Sequence, residues 1–218
     1  MPLLTDPAGI AGLVVREVRT GERGGEVTRI AVARRSYPTD QADLWDALTN
    51  GERIPRWFLP VSGELKLGGK YQLEGNANGV IEECEAPRRF AVTWEMGPQV
   101  SWLTVTLSAD GDATVLELEH EAPVDPEFWA QYGPGAVGVG WDLALMGLAL
   151  HLDGAAVLDP TEVLTFHTTA EGVAFIRAAA EGWADAAVAD GDDPTAAITA
   201  ADQTVTFYTT EPEDGAES

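Results

Sequence analysis

The sequence predicts an α+β fold in which a curved antiparallel sheet of about seven strands wraps one long helix. Three observations predict it. Short apolar–polar segments recur from residue 61 to 122, separated by glycine- and proline-marked turns. Two short helical segments stand between the first strand and this meander. A glycine-rich helix follows it, Gly138 to Leu152, and is apolar nearly all round.

The first strand is Val27 to Ala33, rich in β-formers and ended by Pro38. Leu13–Thr20, joined to it through Gly21-Glu22-Arg23-Gly24-Gly25, pairs with it as a hairpin or stands as an N-terminal extension. Thr39 is placed to cap a first helix, with Asp40 and Asp43 in its first turn and Leu44, Trp45 and Leu48 on its apolar face. Asn50-Gly51 ends it. A second short helix, Glu52 to Phe58, presents Ile54, Trp57 and Phe58. Turn signals at Gly68-Gly69, Asn76–Gly79, Ala86-Pro87, Gly97-Pro98 and Asp110-Gly111-Asp112 then delimit strands near 61–67, 70–75, 79–85, 89–96, 100–109 and 113–122.

Alternation divides these strands into faces. Phe90, Val92 and Trp94 share one, as do Leu103, Val105 and Leu107, and Leu116, Leu118 and His120. Glu117, Glu119 and Glu121 take the opposite face. A sheet with one apolar and one acidic face needs a helix on the apolar side. Helix 138–152, whose start reaches back toward Phe128, supplies it. One of its stripes is Trp141, Leu145, Leu148 and Leu152; another is Val139, Leu143, Met146 and Leu150. The sheet covers only one side, so a C-terminal extension or a second subunit is expected on the other. Asp159-Pro160 reads as a helix start. Thr168-x-x-Glu171 reads as a capping box opening a helix with Val173, Ile176, Ala180, Trp183 and Ala187 on one face. Asp193-Pro194 starts another, with Ile198, Ala201, Val205 and Tyr208 aligned. The expected organisation is an N-terminal extension or extra strand (1–25), the wrapped-helix domain (26–153), a helical extension packed on it (154–210) and a frayed acidic tail (211–218).

Composition bounds the function. The 218 residues carry 13 basic and 36 acidic side chains, a net charge of −23. Residues 1–35 are net +2, residues 36–159 net −14 and residues 160–218 net −11. Such a surface repels nucleic acid and anionic lipid. The start lacks a basic head and an apolar run, and no stretch approaches a membrane span, so a cytoplasmic protein is expected. One cysteine, Cys84, excludes an intrachain disulfide and a cysteine zinc cluster; it reads as a small strand hydrophobe.

Candidate site residues gather on the apolar sheet face and the helix. Trp57, Phe58, Tyr71, Trp94, Leu103, Trp141 and Leu145 are candidates to line a cavity for a planar or acyl ligand, or to pack as plain core. His120 shares their face and is either a ligand contact and weak general-base candidate or a structurally satisfied core histidine. Gly133-Pro134-Gly135-Ala136-Val137-Gly138 matches G-x-G-x-x-G. No strand precedes it, so its glycines read as letting the helix start pack closely against the sheet or bend around a ligand. No metal-ligand spacing is present, and no cofactor is implied. Neighbouring Glu119 and Glu121 point away from His120.

The order of elements, with L-W-D-A-L-T at 44–49, R-W-F-L-P at 56–60, L-G-G-K-Y at 67–71, A-P-R-R-F-A-V-T-W at 86–94 and L-E-L-E-H at 116–120, resembles the START-like (SRPBCC, Bet v 1-like) helix-grip superfamily. Within it, the chain is similar to the family related to the C-terminal domain of the activator of heat-shock protein 90 ATPase. The resemblance covers about residues 27–152. It implies an apolar cavity between sheet and helix. The expected function is binding of a small apolar or amphipathic ligand. The alternatives are a chaperone-activator-like interaction protein, with chaperone or homodimer contacts, and a cyclase- or hydratase-like enzyme using His120.

Overall fold

A computed structural model describes residues 6–154 and 165–210. The helix start at Asp159-Pro160 and the acidic tail 211–218 lie outside the described residues. Eight antiparallel strands form one sheet: β1 (Val15–Arg23), β2 (Glu26–Tyr37), β3 (Val61–Gly63), β4 (Lys70–Leu73), β5 (Asn78–Glu85), β6 (Arg89–Met96), β7 (Gln99–Asp110) and β8 (Ala113–Pro123). Their spatial order is β1-β2-β8-β7-β6-β5-β4-β3. The N-terminal stretch is thus an eighth strand in hairpin register with β2, from Val15 opposite Arg34 to Arg23 opposite Glu26. β3 is shorter than expected. Gly63 (φ +109°) turns the chain, and a Cβ on Gly69 would lie 2.0 Å from the Glu64 carbonyl oxygen, so 64–69 folds back as a loop.

Among the described residues the helices are α1 (Pro7–Ala11), α2 (Gln41–Thr49), α3 (Pro126–Tyr132), α4 (Gly135–Leu152), α5 (Ala170–Ala189) and α6 (Pro194–Thr209). The second short helix contracts to a single 3₁₀ turn, Ile54–Arg56. Two caps fall one residue later than the sequence suggests. Asp40, not Thr39, accepts from the Asp43 N–H, while the Thr39 hydroxyl donates to the Asp43 carboxylate. Thr169, not Thr168, caps α5 through the Gly172 N–H at 3.0 Å. The long helix does not run back to Phe128. Gly133 (φ +56°) breaks it, and Pro134 precedes a new start at Gly135.

The inner sheet face follows from register. Trp94 lies opposite Ser101, Val92 opposite Leu103, and Leu103 opposite His120. The outer face carries Glu117, Glu119 and Glu121, which the hairpin neutralises. Arg34 pairs with Glu117, Arg19 with Glu119 at 2.6 Å, and Arg23 with Glu121. Glu17 accepts from Arg19 and Arg34 (2.7 and 2.9 Å), and these guanidinium bonds pull its carboxyl down to about 2.

Helix α4 lies on the inner face, its Leu145 carbonyl accepting from the Tyr37 hydroxyl of β2 at 3.0 Å. Its far side is covered by α5 and by α1. Gly138 makes this possible, because a Cβ there would sit 2.2 Å from the Trp183 ring. A Cβ on Gly135 would likewise lie 3.0 Å from the Thr204 hydroxyl. The glycine-rich run therefore accommodates the C-terminal helices rather than the sheet. Helices α5 and α6 meet through small residues, Ala197, Ala200 and Ala201 of α6 being buried. Ile198 falls outside this stripe and is 62% exposed, contrary to its expected alignment with Ala201. By length and composition α4 also passes for a membrane span, unlike the sequence-based expectation; its packing on both sides is that of a core helix.

One polar residue interrupts this apolar contact. Asp142 of α4 is fully buried. Arg16 of β1 donates to both its carboxylate oxygens, at 3.0 and 3.2 Å, and the Trp183 indole N–H donates at 2.7 Å. The same guanidinium bonds the Ala11 and Val14 carbonyl oxygens. Burial pushes the Asp142 carboxyl up, while Arg16 and Trp183 hold it down. Removing one partner of such a pair leaves a buried charge uncompensated. Asp142→Ala is therefore expected to lose about 3–5 kcal/mol in urea unfolding followed by circular dichroism. Glu17→Gln, in the half-exposed ladder, is expected to lose less than about 1 kcal/mol. Equal losses would contradict the assignment.

Candidate functional site

Between the inner sheet face, α4 and the 54–58 segment lies an apolar cavity of about 150 Å³. Trp57, Phe58, Tyr71, Trp94, Leu103, Trp141 and Leu145 all line it, together with Ile54, Val105, Leu116, Leu118 and Ala144. Its aromatic wall is continuous. Trp57 stacks on Phe58 (5.5 Å between centroids), Phe58 on Trp141 (6.2 Å), and Trp94 meets Trp141 edge-on (5.0 Å).

The wall depends on close backbone approach. A Cβ on Gly147 of α4 would stand 2.6 Å from the Trp57 carbonyl oxygen, so only glycine lets the helix meet the 54–58 segment at this distance. Three polar groups of the lining are bonded within the protein. The Trp57 indole N–H donates to the Ala47 carbonyl (3.0 Å), the Tyr71 hydroxyl to the Thr93 carbonyl (2.7 Å), and the Thr49 hydroxyl to the Trp45 carbonyl (2.8 Å). Leu65, Lys66 and Cys84 are exposed lining residues and mark where the cavity meets solvent. Lys66 is paired there with Glu64 at 2.8 Å.

Cys84 is therefore an exposed residue of the cavity mouth rather than a packed strand hydrophobe. Simple alternation would set Ile81 with Glu83 and send Cys84 to the other face. A bulge between Ile81 and Glu83 shifts the register, so that Ile81 pairs with Val92 and Cys84 with Phe90. Both then join the apolar side. Lys66 sits in the loop that replaced the end of β3. No periodic signal marks either position.

His120 is not among the lining residues. It is buried, and both ring nitrogens are engaged. Nδ1 accepts from the Trp141 indole N–H at 2.9 Å, and Nε2 lies 2.8 Å from Ser101 Oγ. An indole N–H only donates, so the ring proton is on Nε2 and points at Ser101, whose hydroxyl donates to the Trp94 carbonyl at 3.1 Å. A base for Ser101 would need the opposite tautomer. Burial pushes the His120 pKa down to about 4, so the ring is neutral at pH 7. The arrangement ties Trp141 of α4 to Trp94 of β6 through β8 and β7. No group of three or more metal-binding side chains is clustered among the described residues.

The lowered His120 pKa has a defined sign. Between its ordinary value near 6.5 and about 4, the unfolded chain binds the proton and the folded chain does not. Stability therefore falls as pH drops through that window, by on the order of 3 kcal/mol in all. Urea midpoints from pH 7 to pH 4 are expected to show this loss, and His120→Gln is expected to flatten that part of the profile. A wild-type ring titrating near 6.5 by NMR would contradict it.

Comparison with known proteins accords with this architecture. Residues 38–153 match the family described as activator of Hsp90 ATPase homolog 1-like protein. A comparison with curated proteins finds no match. Among solved structures, the solution structure of CalU16 from Micromonospora echinospora is 30% identical, with a TM-score of 0.68 over 82% of this chain and 97% of that one. The crystal structure of the same protein gives 29%, 0.64, 82% and 99%. Protein MLL2253 from Mesorhizobium loti, 22% identical with a TM-score of 0.52 over 59% of this chain and 99% of that one, shares the fold. The family match spans more than half of the chain and contains strands β3–β8, the cavity wall and helix α4. The chain belongs to the activator of Hsp90 ATPase homolog 1-like family, within the START-like superfamily.

Proposed function

We propose that this protein binds a small, neutral, apolar molecule, an aromatic of one or two fused rings, between the sheet and α4. The supporting observation is the cavity's chemistry: about 150 Å³, walled by Trp57, Phe58, Trp94 and Trp141, with the Trp57, Tyr71 and Trp141 donors already satisfied by the protein. A dry cavity of about this size accepts benzene in other proteins. A ligand needing several hydrogen bonds would leave its own polar groups unpaired here. An anionic ligand would face a chain of net charge −23, with Lys66 at the mouth already paired to Glu64. About ten heavy atoms at about 0.5 kcal/mol each give a Kd on the order of 100 µM.

Indole and naphthalene are the probes of choice. At saturation each is expected to raise the melting temperature by several degrees and to change tryptophan fluorescence, while naphthalene-2-carboxylate binds at least tenfold more weakly. Ala144→Leu places three further carbons into the cavity from α4 and is expected to abolish the shift while keeping the fold. Binding unchanged in Ala144→Leu would place the ligand elsewhere; no binding of either probe to the wild type would remove the proposal.

The family match adds a second reading, contact with a chaperone ATPase. It is tested by adding the protein to Hsp90 and following ATP hydrolysis. An unchanged rate and no co-sedimentation would remove it.

A further inference from the structure

The outward side of α3 and α6 carries an aromatic strip separate from the cavity. No residue of α3 is buried. The helix is held at its edges: the Trp129 indole donates to Asp192 at 2.9 Å, and the Thr204 hydroxyl of α6 donates to the Tyr132 carbonyl at 3.0 Å. Phe128 and Tyr132, four residues apart, share one side of the helix, Phe128 exposed and Tyr132 half-buried. Phe207 of α6 extends it. Ring centroids run 5.2 Å from Phe128 to Tyr132 and 5.5 Å from Tyr132 to Phe207. Phe128 is 45% and Phe207 59% exposed. One exposed phenylalanine is ordinary on a protein surface, but adjoining rings on two elements are not.

The electrostatic setting restricts what can cover this strip. From residue 90 to the end of the sequence the only basic side chain is Arg177, against 23 acids, and Arg177 is paired with Asp202 of α6 at 3.3 Å. Glu127 precedes Phe128 on α3, and Asp125 caps the helix, accepting from the Glu127 and Phe128 N–H groups. Arg29 lies over the Trp129 ring at 4.4 Å and is bound to Asp190 and Asp192. A second copy of the chain brings the same negative charge, and an anionic lipid surface does also. A cationic, apolar-faced segment meets both demands, because lysines and arginines pair with the acids and stack on the ring faces.

We propose that the Phe128–Tyr132–Phe207 strip is a docking surface for a basic amphipathic helix of a partner protein, laid with its apolar face on the rings. The test uses the full chain and a fluorescein-labelled leucine–lysine peptide of helical period. A scrambled peptide of the same composition controls for bulk charge, and fluorescence anisotropy reads binding. The amphipathic peptide is expected to bind at least tenfold more tightly than the scrambled one, and to weaken at least tenfold between about 50 and about 500 mM salt. Phe128→Ser/Phe207→Ser is expected to lose at least tenfold in affinity. Both rings are exposed, so its melting temperature and naphthalene binding should stay at the wild-type values. Equal binding of both peptides, or undiminished binding to the double variant, would overturn the proposal. A dimer seen by analytical ultracentrifugation and abolished in the double variant would also overturn it, by making a second copy the occupant.

Discussion

The position of α4 depends on one buried ion pair. Asp142 stands on a helix otherwise suited to the interior of a core, and it survives there because Arg16 and Trp183 satisfy its two oxygens. These donors come from opposite ends of the sequence, the first strand and the penultimate helix. The carboxylate therefore joins the N-terminal hairpin, the central helix and the C-terminal pair at one point. A buried pair of this kind adds little net stability over apolar packing, but a misplaced one is costly, so it selects one arrangement of three elements over near alternatives. The cavity inherits that selection, since Trp141, Ala144 and Leu145 project from the same turns of α4 toward the sheet.

The two sheet faces are built on different physics. Outside, arginines of β1 and β2 interleave with glutamates of β8, exposed enough that each pair contributes little and salt screens it. Inside, apolar side chains meet α4, and His120 is kept neutral by burial and bonded to an indole on one side and a hydroxyl on the other. The inner network joins two cavity tryptophans, Trp141 through its indole N–H and Trp94 through its backbone carbonyl.

Much of this was legible in the residues. Alternation in 89–122 placed Trp94, Leu103 and Leu118 on one face, because strands in regular register obey a period of two. The same argument does not extend to Cys84, where a bulge changes the parity with no residue to announce it. Helix α4 was legible as doubly covered from its apolar girth, and the residues after it as its cover. What was illegible was contact at the level of single atoms: that Gly138 faces an indole, that Ile198 lies just off an alanine stripe, and that His120 bonds Trp141 instead of opening to the cavity. Spacing assigns a side chain to a face; it does not say which neighbour reaches it first.

The Arg16–Asp142–Trp183 junction also bears on where this protein can be cut. The family match spans residues 38–153, so Asp142 lies within it while Arg16 and Trp183 both lie outside. A fragment trimmed to the matched residues would keep the carboxylate and discard every donor that the structure gives it. It would also bare the glycine-lined side of α4 to water. The segment that matches the family is thus smaller than the unit these contacts bind together, because Asp142 inside it is satisfied only from both sides of it.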